Sequence, residues 1–378
     1  MAHQTSPHPV SDDLIDELPT VGDGSGLSPD DRYYAEEVQF ALRNHGMPLE
    51  ALRYPITPVG MHYLIVHFDI PIVNESDWQL TVNGLVQKPL QLSLSDLRNR
   101  PAVTLPVTLE CAGNGRALMK PRSVSQPWHF EAVGTSEWTG VPLSEILEMA
   151  GLSDNAAELV ITGLDWGIQG NEVQPYQRSL TIDEACRENV LIAYEMNGQP
   201  LTPQHGYPLR LVVPDWYGMA SVKWLAAIEA VAEPFEGYQM TGSYRYAKSQ
   251  DDPGDPVTLM RPRALMVPPG IPEFASRLRV IDAGPETLSG RAWTARAEIT
   301  RVEVSTDNAR SWSDAELEPP LSQVAWRGWT FDWDAPPGRH TLCVRASDSE
   351  GNTQPLEQEW NFQGMGNNMI QRVDVLVR

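Results

Sequence analysis

A single thiol, Cys111, follows a run in which Val103, Leu105, Val107 and Leu109 alternate with Thr and Pro, and it opens the loop Cys111-Ala112-Gly113-Asn114-Gly115-Arg116. Such alternation buries one face of an extended segment, so the thiol arrives at a strand tip, where a glycine-containing loop lets backbone approach a ligand. Read by itself, Cys111 is equally a small buried hydrophobe. A second signal is Arg210, which interrupts the apolar run Leu209-Arg210-Leu211-Val212-Val213. A guanidinium in such a run is costly unless something anionic meets it. His205 and Arg210 alone read as a satisfied histidine and a structural ion pair. Joined with Cys111 and with Lys223 in Ser221-Val222-Lys223, they amount to one soft metal ligand plus a cationic cradle for phosphate or another anion. Cys111 with His205 could also serve as a thiol-hydrolase dyad.

The elements that must carry these residues follow from the patterning. Trp78 to Val86 alternates up to Asn83-Gly84 and predicts a hairpin turning there. Ser93 and Ser144 each precede apolar residues and predict helix starts. Leu159 to Asp165 predicts a short buried strand followed by a turn, Thr181 to Glu188 a short helix holding Cys186, and Leu209 to Val213 a buried strand. The Pro/Gly/Asp cluster Asp251 to Pro256 marks a domain boundary. Beyond it, Ile299 to Val304, Trp329 to Trp333 and Leu342 to Ala346 alternate between turn signals, which predicts an immunoglobulin-like β-sandwich. Cys343 is the one cysteine of that segment, so its sheets have no disulfide between them. Its tryptophans 293, 312, 326, 329 and 333 read as core rather than as a ligand cage.

Composition limits the partners. The chain has 378 residues, enough for two or three domains, and its 28 Lys+Arg against 50 Asp+Glu give a net charge of −22. That charge repels phosphate backbones and anionic membranes, so neither nucleic acid nor a membrane is expected as a partner. Three widely spaced cysteines exclude a zinc ribbon, an iron–sulfur motif and Cys-x-x-Cys-His haem attachment. No flavin or nicotinamide fingerprint is present either. No basic-apolar leader is visible at the N-terminus, so a cytoplasmic location is expected, or a periplasmic one had a signal been removed. Residues 1–35 read as an acidic tail, 36–255 as the catalytic domain and 256–378 as the sandwich.

Four separated stretches, Leu109 to Arg116, Ala193 to Leu201, His205 to Pro214 and Val222 to Leu225, resemble the sulfite oxidase family of molybdenum enzymes, in that family's order. The resemblance implies an α+β protein: a mixed α/β molybdopterin-binding domain followed by an immunoglobulin-like dimerisation domain, giving a homodimer. It implies that Cys111 is the thiolate ligand to molybdenum, and that His67, Asp165, His205, Arg210, Ser221 and Lys223 bind the pterin cofactor and its phosphate. It matches Arg116 to an arginine facing the substrate oxyanion and Tyr246 to an active-site tyrosine. The segment Tyr63 to Pro71 aligns with the family's Arg-Asn-His segment, whereas Arg43-Asn44-His45 comes too early. Ile65 then stands where an arginine is usual, and Gly115 replaces another, so Lys120 or Arg122 is expected to compensate in part. The activity implied is oxygen-atom transfer that oxidises sulfite to sulfate, with electrons leaving to an external acceptor such as a cytochrome c. A same-fold enzyme acting on another small oxyanion or sulfoxide, and a non-enzymatic β-sandwich binding module, are the alternatives. Within the family, a nitrate reductase would be expected to carry fused haem and flavin domains.

Overall fold

The computed structural model describes residues 35–378, so the expected acidic tail, apart from Ala35, lies outside the described residues. Two sheets build the first domain. One orders its strands as Leu90–Leu92, Leu80–Gly84, Leu225–Val231, Glu158–Gln169 and Glu172–Thr181. The other orders Val103–Glu110, Val133–Pro142, Leu191–Met196 and Gln199–Pro200, with Arg210–Val212 also pairing on Leu191–Met196. Their inward faces share one core that includes Leu80, Leu94, Ile146, Ile161, Leu211 and Ile228.

Local chemistry explains most of these elements, and the departures have identifiable causes. Ser93 caps the helix Leu94–Arg98 in a reciprocal capping box with Asp96. The helix Leu143–Ala150 begins one residue before Ser144, after Pro142, because Leu143 must be buried and its N–H is taken by Val190 O at 2.8 Å. The expected turn at Asn83-Gly84 is instead strand, since Leu225–Val231 arrives parallel and pairs Asn83 with Glu229 and Gly84 with Ala230. The chain reverses beyond Gly84, and Leu80 pairs back with Leu92. Strand structure also runs past Asp165 to Gln169, where a turn was expected. Its register breaks between Thr162 and Trp166, a bulge that displaces Gly163 to Asp165 from the ladder. Cys186 ends the four-residue helix Ile182–Ala185 as its C-terminal cap.

The second unit is a sandwich of two sheets. Arg263–Met266, Gly284–Trp293, Arg327–Ala335 and Glu316–Leu317 form one. Ile271–Pro272, Arg279–Ile281, Gln371–Val377, Gly338–Asp348, Ile299–Ser305 and Ser313–Asp314 form the other. Trp293, Trp326, Trp329 and Trp333 are buried, while Trp312 is half-buried under Arg345. Cys343 is a free, buried thiol. A third core, containing Met47, Ala112, Tyr217, Tyr244, Leu265, Trp293 and Trp326, joins the sandwich to the cysteine loop of the first domain.

Candidate active site

The strand Val103–Glu110 ends in a closed loop around Cys111. Cys111 N–H donates to Ala132 O at 2.9 Å, Asn114 N–H to Cys111 O at 2.9 Å and Arg116 N–H to Gly113 O at 3.0 Å. Asn114 spans the loop, its Nδ2 donating to Glu110 Oε1 at 3.0 Å and its Oδ1 accepting from Ala132 N–H at 3.1 Å. Gly115 has φ of 88°, and a Cβ there would lie 3.0 Å from the Asn367 side chain. Backbone conformation and that contact account for glycine where the family resemblance places an arginine.

Cys111 opens into a cavity whose wall is otherwise rich in cations. His62, His67, His205, Arg210, Ser221 and Lys223 line it together with Asp165, Tyr63, Tyr176 and Tyr244. The elements that carry these groups converge from separate stretches of the chain. The strand Arg210–Val212 presents Arg210, whose Nη1 donates to His205 O and Nη2 to Ser221 O, both at 3.1 Å. Its guanidinium also stacks over Trp138, 4.6 Å from the ring centroid. Ser221 Oγ accepts from Val213 N–H at 3.0 Å. Lys223 Nζ donates to Ile65 O at 2.7 Å and Gln204 O at 3.1 Å. Gly206, at φ of 106°, lets the histidine turn pass between Lys223 and Arg210, whose Cβ atoms lie 3.1 and 3.2 Å from where its own would stand. The bulge after Thr162 brings Asp165 into the wall.

These buried basic groups have one carboxylate among the wall residues, Asp165. Burial first, then the charge of Arg210, pulls Lys223 down to about 7, and burial followed by His62 and Arg210 pulls His205 to about 2. His62 falls to about 4 and His67 to about 3 for the same leading reason. Burial lowers Arg210 to about 10 and raises Asp165 to about 7. The three histidines are therefore neutral near pH 7, and the positive charge of the wall rests on Arg210 and in part on Lys223. His62 Nε2 is moreover buried without a partner. The wall therefore fits an extended anionic ligand with hydrogen-bonding edges. No cluster of three or more His, Cys, Asp or Glu able to hold a metal exists among the described residues, so a metal here would take Cys111 as its protein ligand and complete its shell from such a group. A pterin dithiolene bearing phosphate has that chemistry: Arg210, Lys223, His205 and Ser221 would hold it, and Cys111 would hold molybdenum. Burial leads the causes that push the Cys111 thiol up, against Arg116 and the Gly113 N–H, which is opposite to the depressed thiol that a hydrolase nucleophile requires.

Of the residues named from sequence, Cys111, His67, Asp165, His205, Arg210, Ser221 and Lys223 all line this cavity. Arg116 does not. It is buried with Nε on Gln363 O at 3.0 Å, Nη1 on Gln126 O at 3.2 Å and Nη2 on Met365 Sδ at 3.3 Å, committed to the loops that brace the cysteine turn. Tyr246 also lies outside the lining: it pairs with Asp255 in a two-residue ladder, under the Arg261 guanidinium at 4.5 Å. Two residues earlier, Tyr244 does line the wall, with Tyr63 and Tyr176, and its hydroxyl lies 2.7 Å from His67 Nε2. Tyr244 has φ of 59°, a left-handed conformation that spacing in the sequence does not reveal. Arg122 is paired with buried Glu37, and Lys120 is exposed; neither lines the cavity, so the expected compensation is not made by them. Arg43-Asn44-His45 runs beside the lining segment, with Asn44 Oδ1 accepting from Val66 N–H at 2.7 Å, and lines no part of the cavity itself. Sequence reasoning missed His62, Tyr63, Tyr176 and Tyr244; two histidines five residues apart in His62 to His67 were the one available signal.

Fold and site define a molybdopterin-binding oxidoreductase joined to a dimerisation domain. Residues 67–239 match the oxidoreductase molybdopterin binding domain, and residues 271–378 match the Mo-co oxidoreductase dimerisation domain. The chain belongs to the sulfite oxidase family of molybdenum oxidoreductases. It is 32% identical over 345 residues to the sulfite oxidase of Arabidopsis thaliana, covering 84% of this chain and 87% of that protein. It is 31% identical over 347 residues to nitrate reductase (NADH) 1 of the same plant, but spans only 38% of that protein's length. The sulfane dehydrogenase SoxCD of Paracoccus pantotrophus superposes with a TM-score of 0.76 at 26% identity, covering 96% of both chains. The dimerisation domain supports a homodimer.

Proposed function

We propose that the protein oxidises sulfite to sulfate and passes the electrons to an external acceptor, with a basic cytochrome c the fitting partner for a chain of net charge −22. The observation that carries this reading is the meeting of Cys111 with a carboxylate-poor cationic wall in one buried cavity. When bound, the molybdenum cofactor supplies two-electron oxygen-atom-transfer chemistry. The chain's own contribution is positional and electrostatic. Cys111 holds the metal from a loop that Asn114 and Gly115 keep closed. Arg210 and Lys223 hold the anionic end of the cofactor from fixed hydrogen bonds to backbone carbonyls. Tyr244 Oη lies 2.7 Å from His67 Nε2 at the wall, and with the imidazole donating from Nε2 the phenol O–H is left to donate to a small oxyanion. Leu109, Met219 and Trp224 contribute apolar surface to the lining.

Sulfur as the substrate element draws on the likeness to sulfite oxidase and to the sulfane dehydrogenase, which extends over most of those chains. A second reading, oxidation of another small sulfur compound, draws on the apolar Ile65 in the wall and on Arg116 being spent on carbonyls. Sulfite-dependent reduction of ferricyanide by the molybdenum-loaded protein, beside a Cys111→Ser control, tests the proposal. Turnover lost in the control supports it, and absence of sulfite turnover with full molybdenum removes sulfite as substrate.

A further inference from the structure

Arg178, on the strand Glu172–Thr181, is 2% exposed and lies with its Cζ 5.3 Å from the centroid of the Tyr244 ring. Among the described residues no carboxylate meets its guanidinium. One amino group donates to Gln239 O, and Nε is buried without a partner. Gln239, itself 1% exposed, has Nε2 on Gln169 Oε1 at 2.8 Å and leaves Oε1 unpartnered. The groups whose charges favour the Arg178 cation are the phenols Tyr176 and Tyr244, both in the cavity wall. A guanidinium this deeply buried is costly unless an anion is brought to it, and phenols that remain protonated do not provide one.

The cations around the cavity differ in place. Arg210 and Lys223 line it and, with His205, act on one another, whereas Arg178 stands beside the Tyr244 ring and is not itself among the lining residues. Arg178 instead acts on Tyr244, which also feels Cys111 and Arg116. Ile65 adds no charge to the wall, and Arg116 donates to carbonyls. Arg178 is therefore the buried cation near the Tyr244–His67 pair with neither an anion nor a full set of donor partners.

We infer that Arg178 is a positioning residue that fixes Tyr244 and makes its side of the cavity selective for a small sulfur oxyanion over a neutral sulfur compound. This rests on the proposed oxidation of a sulfur oxyanion at Cys111. The guanidinium over the ring holds the phenol in place through a cation–π contact, and its positive potential favours an anion accepting from the Tyr244 hydroxyl.

The test uses the molybdenum-loaded dimer as wild type, Arg178→Met, Arg178→Lys and Arg178→Gln, with sulfite as substrate and sulfate as competitive inhibitor. Arg178→Met is expected to raise KM for sulfite and Ki for sulfate together by about tenfold, with kcat within threefold and molybdenum content unchanged. Arg178→Lys is expected to restore both to within threefold of wild type. If Arg178→Met does not fold, Arg178→Gln carries the neutral arm. Equal KM and Ki in the neutral and wild-type proteins, or loss that lysine does not rescue, overturns the inference and leaves the sulfite reading standing. If the wild type does not oxidise sulfite, that reading fails and calorimetric titration with sulfate decides the inference: about tenfold weaker binding by the neutral variant supports it, and equal binding or no binding by either overturns it.

Discussion

Glu110 and Arg263 meet at 2.6 Å, an ion pair of two almost fully buried side chains that joins the residue preceding Cys111 to the first strand of the sandwich. Trp293 Nε1 donates to the other carboxylate oxygen at 2.9 Å, and Arg263 also donates to Asn367 O at 2.8 Å. Asn367 Nδ2 in turn donates to Gly115 O at 2.7 Å. The metal-ligand loop is thus fastened from behind by the second domain, which does more than provide an oligomer contact. Removing one partner strands a buried charge, so Arg263→Met is expected to cost about 3–5 kcal/mol in urea unfolding. The double variant Glu110→Gln, Arg263→Met should recover part of that loss, and a double variant no more stable than Arg263→Met would mean the pair is not coupled.

Cys111→Ser should leave the fold nearly intact, since one buried atom changes at nearly constant volume. The melting temperature of the cofactor-free protein is expected to stay within a few degrees of wild type, while bound molybdenum measured by elemental analysis falls by at least tenfold.

Tyr244→Phe and Tyr246→Phe separate the two tyrosines. Loss of the 2.7 Å contact with His67 should lower kcat/KM by about 10–100-fold in the former, the range for removing one aligned polar group at a reacting centre. The latter, outside the cavity, should stay within twofold. Equal effects would return Tyr246 to the site.

Acid should destabilise the cofactor-free protein. Below about pH 6.5 the unfolded chain binds protons that His62, His67 and His205, held to about 4, 3 and 2, refuse when folded. Stability is therefore lost as pH falls from about 6.5 toward 4. Asp165, raised to about 7, acts in the opposite sense over that window and offsets one histidine. Two net protons give a slope of at most about 2.7 kcal/mol per pH unit. Thermal melts between pH 7.5 and 5 check this, and the cofactor-loaded protein, whose cations have their anion, should show a shallower slope.

Lys223→Met should separate cofactor binding from folding. It removes two hydrogen bonds to carbonyls but also a charge that burial disfavours, terms of similar size and opposite sign. The cofactor-free melting temperature is expected to move by only a few degrees, with molybdenum retention falling severalfold. A large drop in melting temperature would make Lys223 structural.

The sequence alone was informative wherever a local rule governed. Alternation marked the strand that ends at Cys111, an arginine in an apolar run marked the anion cradle, and evenly spaced short strands marked the sandwich. It was uninformative wherever the outcome depended on a partner distant in the chain. Gly84 became strand because Ala230 arrived to pair with it. Asp165 entered the wall through a bulge visible only in the register against Glu172–Thr181. The choice of Tyr244 over Tyr246 turned on which of them lines the cavity, and the fate of Arg116 on loop carbonyls some 240 positions away, at Gln363.

Residue type and local pattern by themselves determined which groups could bind an anion and a soft metal, because desolvation penalises a charge in an apolar run whatever surrounds it. Only the tertiary structure decided which of those charges reach the cavity and which are spent elsewhere. Arg116 and Arg122 are as cationic as Arg210, yet backbone carbonyls and Glu37 claim the first two before a ligand could. Hydrogen-bond competition of that kind is settled by three-dimensional proximity, which no spacing along the chain encodes.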